Sequence, residues 1–242
     1  MMSAICHFNT LEEAVQTAQE TIQYGIPIAR IEMLNKDQMD ISINYSKLNN
    51  IKTLPTLFFE FHGTEISNKE SIKIVEDISK NNNGSAFKWA DTLEERNHLW
   101  RARWDVYYSV KALVDNGRVY STDVCLPISK ITECVNYAEE QAKKFGLRAP
   151  MVGHLGDGNF HVLLPFDPEK KETYIKIREF NDLLIKKALE LNGTITGEHG
   201  VGLHKKEYLL KEHGDNIPLM KLIKRSIDQN NIMNPGKIFD LN

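Results

Sequence analysis

The chain has 242 residues, 41 % of them hydrophobic and 26 % charged, enough to bury a substantial core in one large domain or two small ones. Its 30 basic and 33 acidic side chains leave a net charge of −3, and no basic block points to nucleic acid. Three cysteines, Cys6, Cys125 and Cys134, form no CxxC pair, no apolar stretch reaches the ~20 residues of a membrane span, and no signal-peptide pattern opens the chain, so a reducing, cytoplasmic setting is expected.

The elements alternate along the chain. SAICHF at 3–8 predicts a strand, and TLEEAVQTAQETIQY a helix with acids in its first turn. IPIARIE is a short strand, and TLFFEFHG at 56–63 a strong one. NKESIKIVEDISK at 68–80 is helical, NNNGS at 81–85 a loop tip, and SAFKWA at 85–90 a strand. LEERNHLWRARWDVYYSVKAL reads as one long connecting helix, whose spacing places Trp100 and Trp104 in the core.

The order then recurs. GRVYSTDVCLP is a strand, SKITECVNYAEEQAKKF a helix, and MVGHLGDGNFHVLLPF at 151–166 a hairpin. DPEKKETYIKIREFNDLLIKKALELN is a helix with Pro168 near its start, and GTITG closes the unit as a strand. Two split βαβ units predict an α+β fold, a duplicated ferredoxin-like antiparallel sheet with helices and a C-terminal helical tail. Residues 1–90 form the first half, 91–117 the connection, 118–203 the second half and 204–242 the tail.

The hairpin carries chemistry. Asp157-Gly158 is a two-residue turn signal. A turn there pairs Gly156 with Asn159, Leu155 with Phe160 and His154 with His161. Opposed side chains lie roughly 4.5–5.5 Å apart at Cβ, close enough for two imidazoles to share a metal ion. Leu155, Phe160 and Val162 then face the core. Downstream, GTITGEHGVGLHKK at 193–206 sets Glu198 and His199 between glycines. Glu198 with the two histidines makes a 2-His-1-carboxylate set with open metal positions, and His199 is a candidate base. On spacing alone, the histidines serve equally as hydrogen-bonded surface residues, and GEHG as a helix entry.

GHLGDGNFH followed by TGEHGVGLHKK resembles the C-terminal domain of the FAD-linked D-2-hydroxyacid dehydrogenases, in the vanillyl-alcohol oxidase superfamily. HLWRARWDVYYSV at 98–110, YSTDVCLPIS at 120–129 and NIMNPGKIF at 231–239 resemble further motifs of that family, in its order. The resemblance implies His154, His161 and Glu198 as ligands of a divalent metal (zinc, manganese or iron) and His199 as the proton acceptor. It implies Arg103 as the substrate-carboxylate arginine, and Asn234 on a tail that faces the flavin. The members specific for 2-hydroxyglutarate carry a lysine and an asparagine where this chain has Ser121 and Leu163. A small monocarboxylic acid of the D-lactate or glycolate type is therefore expected. No Gly-rich dinucleotide loop follows an early strand. The FAD-binding domain is accordingly expected in cis or in trans outside these residues, with peripheral membrane association through the electron acceptor. The rival expectations are a remnant cap that binds metal without turnover and, more weakly, a hydrolase that activates water on the same metal.

Overall fold

A computed structural model describes residues 1–49 and 51–241. Strands β1 (Met2–His7), β2 (Ile28–Leu34), β3 (Thr56–Phe61) and β4 (Ser85–Ala90) run antiparallel in the order β4-β1-β3-β2. Strands β5 (Arg118–Ser121), β6 (Val124–Cys125), β7 (Met151–His154) and β8 (Asn159–Phe166) follow, with β8 pairing β7, β5 and β6. The two groups meet where β2 pairs β7 through Glu32–His154, Met33–Gly153 and Leu34–Val152. The result is one α+β sheet of 8 strands.

The helices are α1 (Leu11–Gln23), α2 (Lys36–Ser46), α3 (Glu65–Asn81), α4 (Leu93–Trp104), α5 (Val106–Lys111), α6 (Ile131–Phe145) and α7 (Lys171–Glu190). α1, α3, α6 and α7 cover one face of the sheet, and α2, α4 and α5 the other. In β1 and β3, Ala4, Cys6, Leu57, Phe59 and Phe61 enter the first core, while Ile5 and Phe58 enter the second. Burial on both faces is why TLFFEF is apolar without alternation. Thr10, Thr64 and Thr92 cap α1, α3 and α4 through their side chains, Thr10 in a full capping box with Glu13. The expected helical tail consists of α8 (Lys206–His213) and α9 (Ile217–Ile227).

Several expectations are corrected. The hairpin connection is Leu155–Gly158, not a two-residue turn, and the pairs are Val152–His161, Gly153–Phe160 and His154–Asn159. Leu155 is drawn into the core and the Gly156 N–H reaches the Ile31 carbonyl, which pulls the chain out of a tight turn. The slip is by two residues, so each side chain keeps its face: Phe160 and Val162 still enter the core with Leu155. The connecting helix is broken at Asp105, whose carboxylate accepts from Ser46 and Arg101. Trp100 is buried as expected, but Trp104 is 51 % exposed and lines a cavity. The expected GRVYSTDVCLP strand is interrupted at Thr122-Asp123, and the expected GTITG strand reduces to one bridge, Cys125–Thr194. The α7 helix begins three residues after Pro168, at Lys171.

Candidate active site

The two histidines arrive on one face of β7 and β8. They are diagonal neighbours rather than opposed, with ring centroids 5.6 Å apart and planes at 81°. Each ring is fixed through Nδ1. His161 Nδ1 donates to the Thr122 carbonyl at 2.7 Å, and His154 Nδ1 to the Glu32 carboxylate at 2.8 Å. A proton committed to Nδ1 leaves the lone pair of the neutral ring on Nε2. Both Nε2 atoms face Glu198 Oε1, at 3.4 Å from His154 and 3.0 Å from His161.

Glu198 and His199 come from a loop that a buried carboxylate shapes. Asp123 accepts from the backbone N–H groups of Gly197 (3.0 Å), Glu198 (3.2 Å) and His199 (3.0 Å), from the Thr196 hydroxyl (2.5 Å) and from Lys205 Nζ (3.1 Å). These bonds turn consecutive N–H groups inward and aim the Glu198 side chain at the imidazoles. His199 stacks on His161, centroids 4.9 Å apart at 16°, with its Nε2 3.6 Å from Glu198 Oε1.

Electrostatics follow from this packing. Burial works to raise the Asp123 and Glu32 carboxyls. Their donors outweigh it and hold both below the ordinary carboxylate range, Asp123 far below. The hydrogen bond to Glu32 raises His154, whereas burial lowers His161 and favours its neutral form.

Donor atoms of His154, His161 and Glu198 lie within 4.8 Å of one another. His161 Nε2 is buried and makes no hydrogen bond. A bare imidazole lone pair inside the protein is costly unless something accepts it. Two nitrogens and one carboxylate oxygen suit a zinc-like divalent cation, so these residues fit the expected metal. Asp123, His161 and His199 form a second group with donor atoms as close. Asp123 is already saturated by five donors, which leaves the first group the better ligand set.

Arg103 lines a cavity of about 680 Å³ together with His154 and Glu198. Its guanidinium meets a carboxylate of the protein itself: Nε and Nη2 both lie 3.0 Å from Glu32 Oε2. Ser121 and Leu163, chosen separately from the sequence, prove to be paired across β5 and β8. Asn234 is not brought to the cluster. It lies exposed in the tail at φ 49°, where its side-chain oxygen accepts from Lys237. Sequence reasoning missed Glu32, Asp123 and Lys205. The available signal was an acid set among apolar residues, as in RIEML and TDVCL.

The fold and this loop-and-hairpin site define a class. The chain belongs to the family of FAD linked oxidases, C-terminal domain, which matches residues 1–238. It is 41 % identical over 245 residues to the probable D-lactate dehydrogenase, mitochondrial, of Danio rerio, covering 100 % of this chain and 48 % of that one. It is 31 % identical over 238 residues to the glycolate oxidase subunit GlcD of Bacillus subtilis, covering 96 % and 49 %. The chain thus spans about half the length of the curated relatives it matches. Among solved structures, p-cresol methylhydroxylase with substrate bound superposes with a TM-score of 0.71 at 13 % identity, over 100 % of this chain and 53 % of that one. That likeness is one of fold. Among the described residues no helix is long and apolar enough to cross a membrane.

Proposed function

We propose that this chain is the substrate- and metal-binding domain of an FAD-dependent dehydrogenase that oxidises a small D-2-hydroxy acid, of the D-lactate or glycolate type, to the 2-oxo acid. The observation that carries the reading is the buried, hydrogen-bond-free Nε2 of His161, gathered with His154 and Glu198 beside a cavity that Arg103 also lines. His154, His161 and Glu198 hold the divalent metal, which when bound supplies a Lewis acid that acidifies the substrate alcohol. FAD, bound by a partner domain in cis or in trans, supplies the hydride acceptor. Arg103 binds the substrate carboxylate and fixes the acid in one orientation. His199, exposed beside Glu198, accepts the hydroxyl proton.

Substrate size is inferred from the resemblance at Ser121 and Leu163, which pair on β5 and β8 outside the lining of the Arg103 cavity. A distal carboxylate buried against Leu163 sheds water and gains no cation, at a cost of several kcal/mol. That is ample for about thousandfold discrimination.

Two measurements test this. Elemental analysis should find a divalent metal in the wild type and little in His161→Ala; equal content in both overturns the ligand assignment. In the FAD-containing protein, kcat/KM should favour D-lactate over D-2-hydroxyglutarate, and Arg103→Ala should lose both activities. Preference for the dicarboxylate overturns the role of Ser121 and Leu163. Metal binding with no turnover in that protein identifies a cap without catalysis.

A further inference from the structure

We propose that Glu32 is the positioning residue of this site, one buried carboxylate that orients the metal-binding ring of His154 and the carboxylate-binding edge of Arg103 together. The inference rests on the reading of His154, His161 and Glu198 as ligands and of Arg103 as the substrate's anchor. The oxygens of Glu32 are divided between the two tasks. Oε1 accepts from His154 Nδ1 at 2.8 Å, and Oε2 from Arg103 Nε and Nη2 at 3.0 Å each.

The first contact sets the tautomer and plane of the ring. With the proton held on Nδ1, the His154 lone pair is on Nε2, 3.4 Å from Glu198 Oε1. A carboxylate behind a ligating imidazole also makes that imidazole a stronger donor. The second contact uses one edge of the guanidinium, Nε–H with Nη2–H. A guanidinium has five N–H groups. The other edge, Nη1–H with the second Nη2–H, makes no hydrogen bond among the described residues. Those are the two parallel donors that a carboxylate takes bidentately.

Strand register explains why this acid does both. Glu32 is the direct partner of His154 where β2 meets β7, so their side chains share a face. Arg103, on α4, closes over the same face. The Glu32 side chain is only 8 % exposed and its two partners are mostly buried, so water screens the contacts less than at the surface. His154 and Arg103, far apart in the chain, are set by one group.

The test compares zinc affinity, by chelator competition on this chain, in the wild type, Glu32→Gln, Arg103→Ala and His161→Ala, with thermal midpoints alongside. Glutamine keeps the shape of Glu32 but turns an N–H₂ toward the donors of one partner. Zinc binding should weaken about 10–100-fold in Glu32→Gln. Arg103→Ala removes the same ion pair yet leaves the Glu32–His154 bond, so its zinc affinity should stay near wild type. In the FAD-containing protein at saturating zinc, Glu32→Gln should raise KM for D-lactate more than it lowers kcat. If wild type and His161→Ala both fail to bind zinc, the metal reading itself falls. If His161→Ala is impaired while Glu32→Gln binds like wild type, only the role of Glu32 falls. Equal zinc loss in Arg103→Ala and Glu32→Gln also overturns it, because a scaffold role would weaken both alike. Should Glu32→Gln not fold, Glu32→Asp serves: one methylene shorter, it cannot reach both partners, and unchanged zinc affinity there refutes the proposal.

Discussion

Replacing Asp123 with asparagine removes what holds Glu198 and His199 against the hairpin. Asp123 is 2 % exposed, and its carboxylate accepts from three consecutive backbone N–H groups, the Thr196 hydroxyl and Lys205. In asparagine one oxygen becomes an N–H₂ that meets these donors head-on. Lys205 keeps its carbonyl partners, Asp123 O and Ile195 O, but loses its counter-charge. Breaking a buried ion pair by removing one partner costs roughly 3–5 kcal/mol. The lost N–H bonds overlap with that figure rather than adding to it. About 3–5 kcal/mol is two to four orders of magnitude in the closing equilibrium of the loop. The expected outcome is amide exchange at Gly197, Glu198 and His199 at least about 100-fold faster than in the wild type. Hydrogen exchange read by mass spectrometry measures it, with urea unfolding for global stability. Exchange at these amides within about threefold of wild type, with an unchanged urea midpoint, would refute the reasoning. The sign with pH is fixed too. The Asp123 carboxyl is held far below the ordinary range, so its contribution is complete above the unfolded value of about 4, declines as pH falls below that value, and is gone once pH is below the depressed native value.

Three further outcomes are expected. Burial lowers His7 from 6.5 to about 4, so the unfolded chain binds more protons in that window; stability is full above 6.5, falls by up to roughly 3 kcal/mol toward pH 4, and then levels off. Urea midpoints at pH 7 and pH ~4.5 should converge in His7→Asn, and an unchanged slope there would assign the effect to other groups. Burial raises Cys6 to about 11 and Cys134 to about 12, while Cys125 is half-buried on the cavity wall, so a thiol reagent should label Cys125 first and the other two only on unfolding. Prompt native-state labelling that survives Cys125→Ser contradicts this. In Gly158→Ala the new Cβ would lie 2.1 Å from the Leu126 carbonyl oxygen at φ +80°, so a loss of about 2–5 kcal/mol is expected in urea unfolding, and a neutral result would show a different loop path.

Much of the fold was legible because both cores draw on continuous apolar strand runs and striped helices. TLFFEF and SAICHF could be little but strands, and α1 carries its own cap and stripe. α2 was invisible for a physical reason. It turns Gln38 and Ser42 inward, where they bond each other and Ser109, so its buried face is partly polar and leaves no hydropathy period. The Asp157-Gly158 signal was real but lost to the burial of Leu155, a tertiary pull that no local rule contains. At the site, the motif residues stood out through the resemblance carried by GHLGDGNFH and TGEHGVGLHKK, since spacing alone left the histidines equally readable as surface residues. Glu32 and Asp123 were not. Glu32 sits in β2 and Asp123 in the break between β5 and β6, and what gives each its meaning lies 122 and 74 residues away, at His154 and Gly197.

The junction of β2 with β7 rests on three residue pairs, and the candidate cavity lies across it. Arg103 rides on α4, packed against the first group of strands through Leu99 and Trp100, whereas His154, His161 and Glu198 belong to the second. A ligand gripped at both ends therefore acts as a clasp. At a hundred times its Kd it adds about 2.7 kcal/mol against any opening that parts the two groups. Occupancy and cohesion become one equilibrium, and a ligand held across that junction is also one of the fastenings of the sheet.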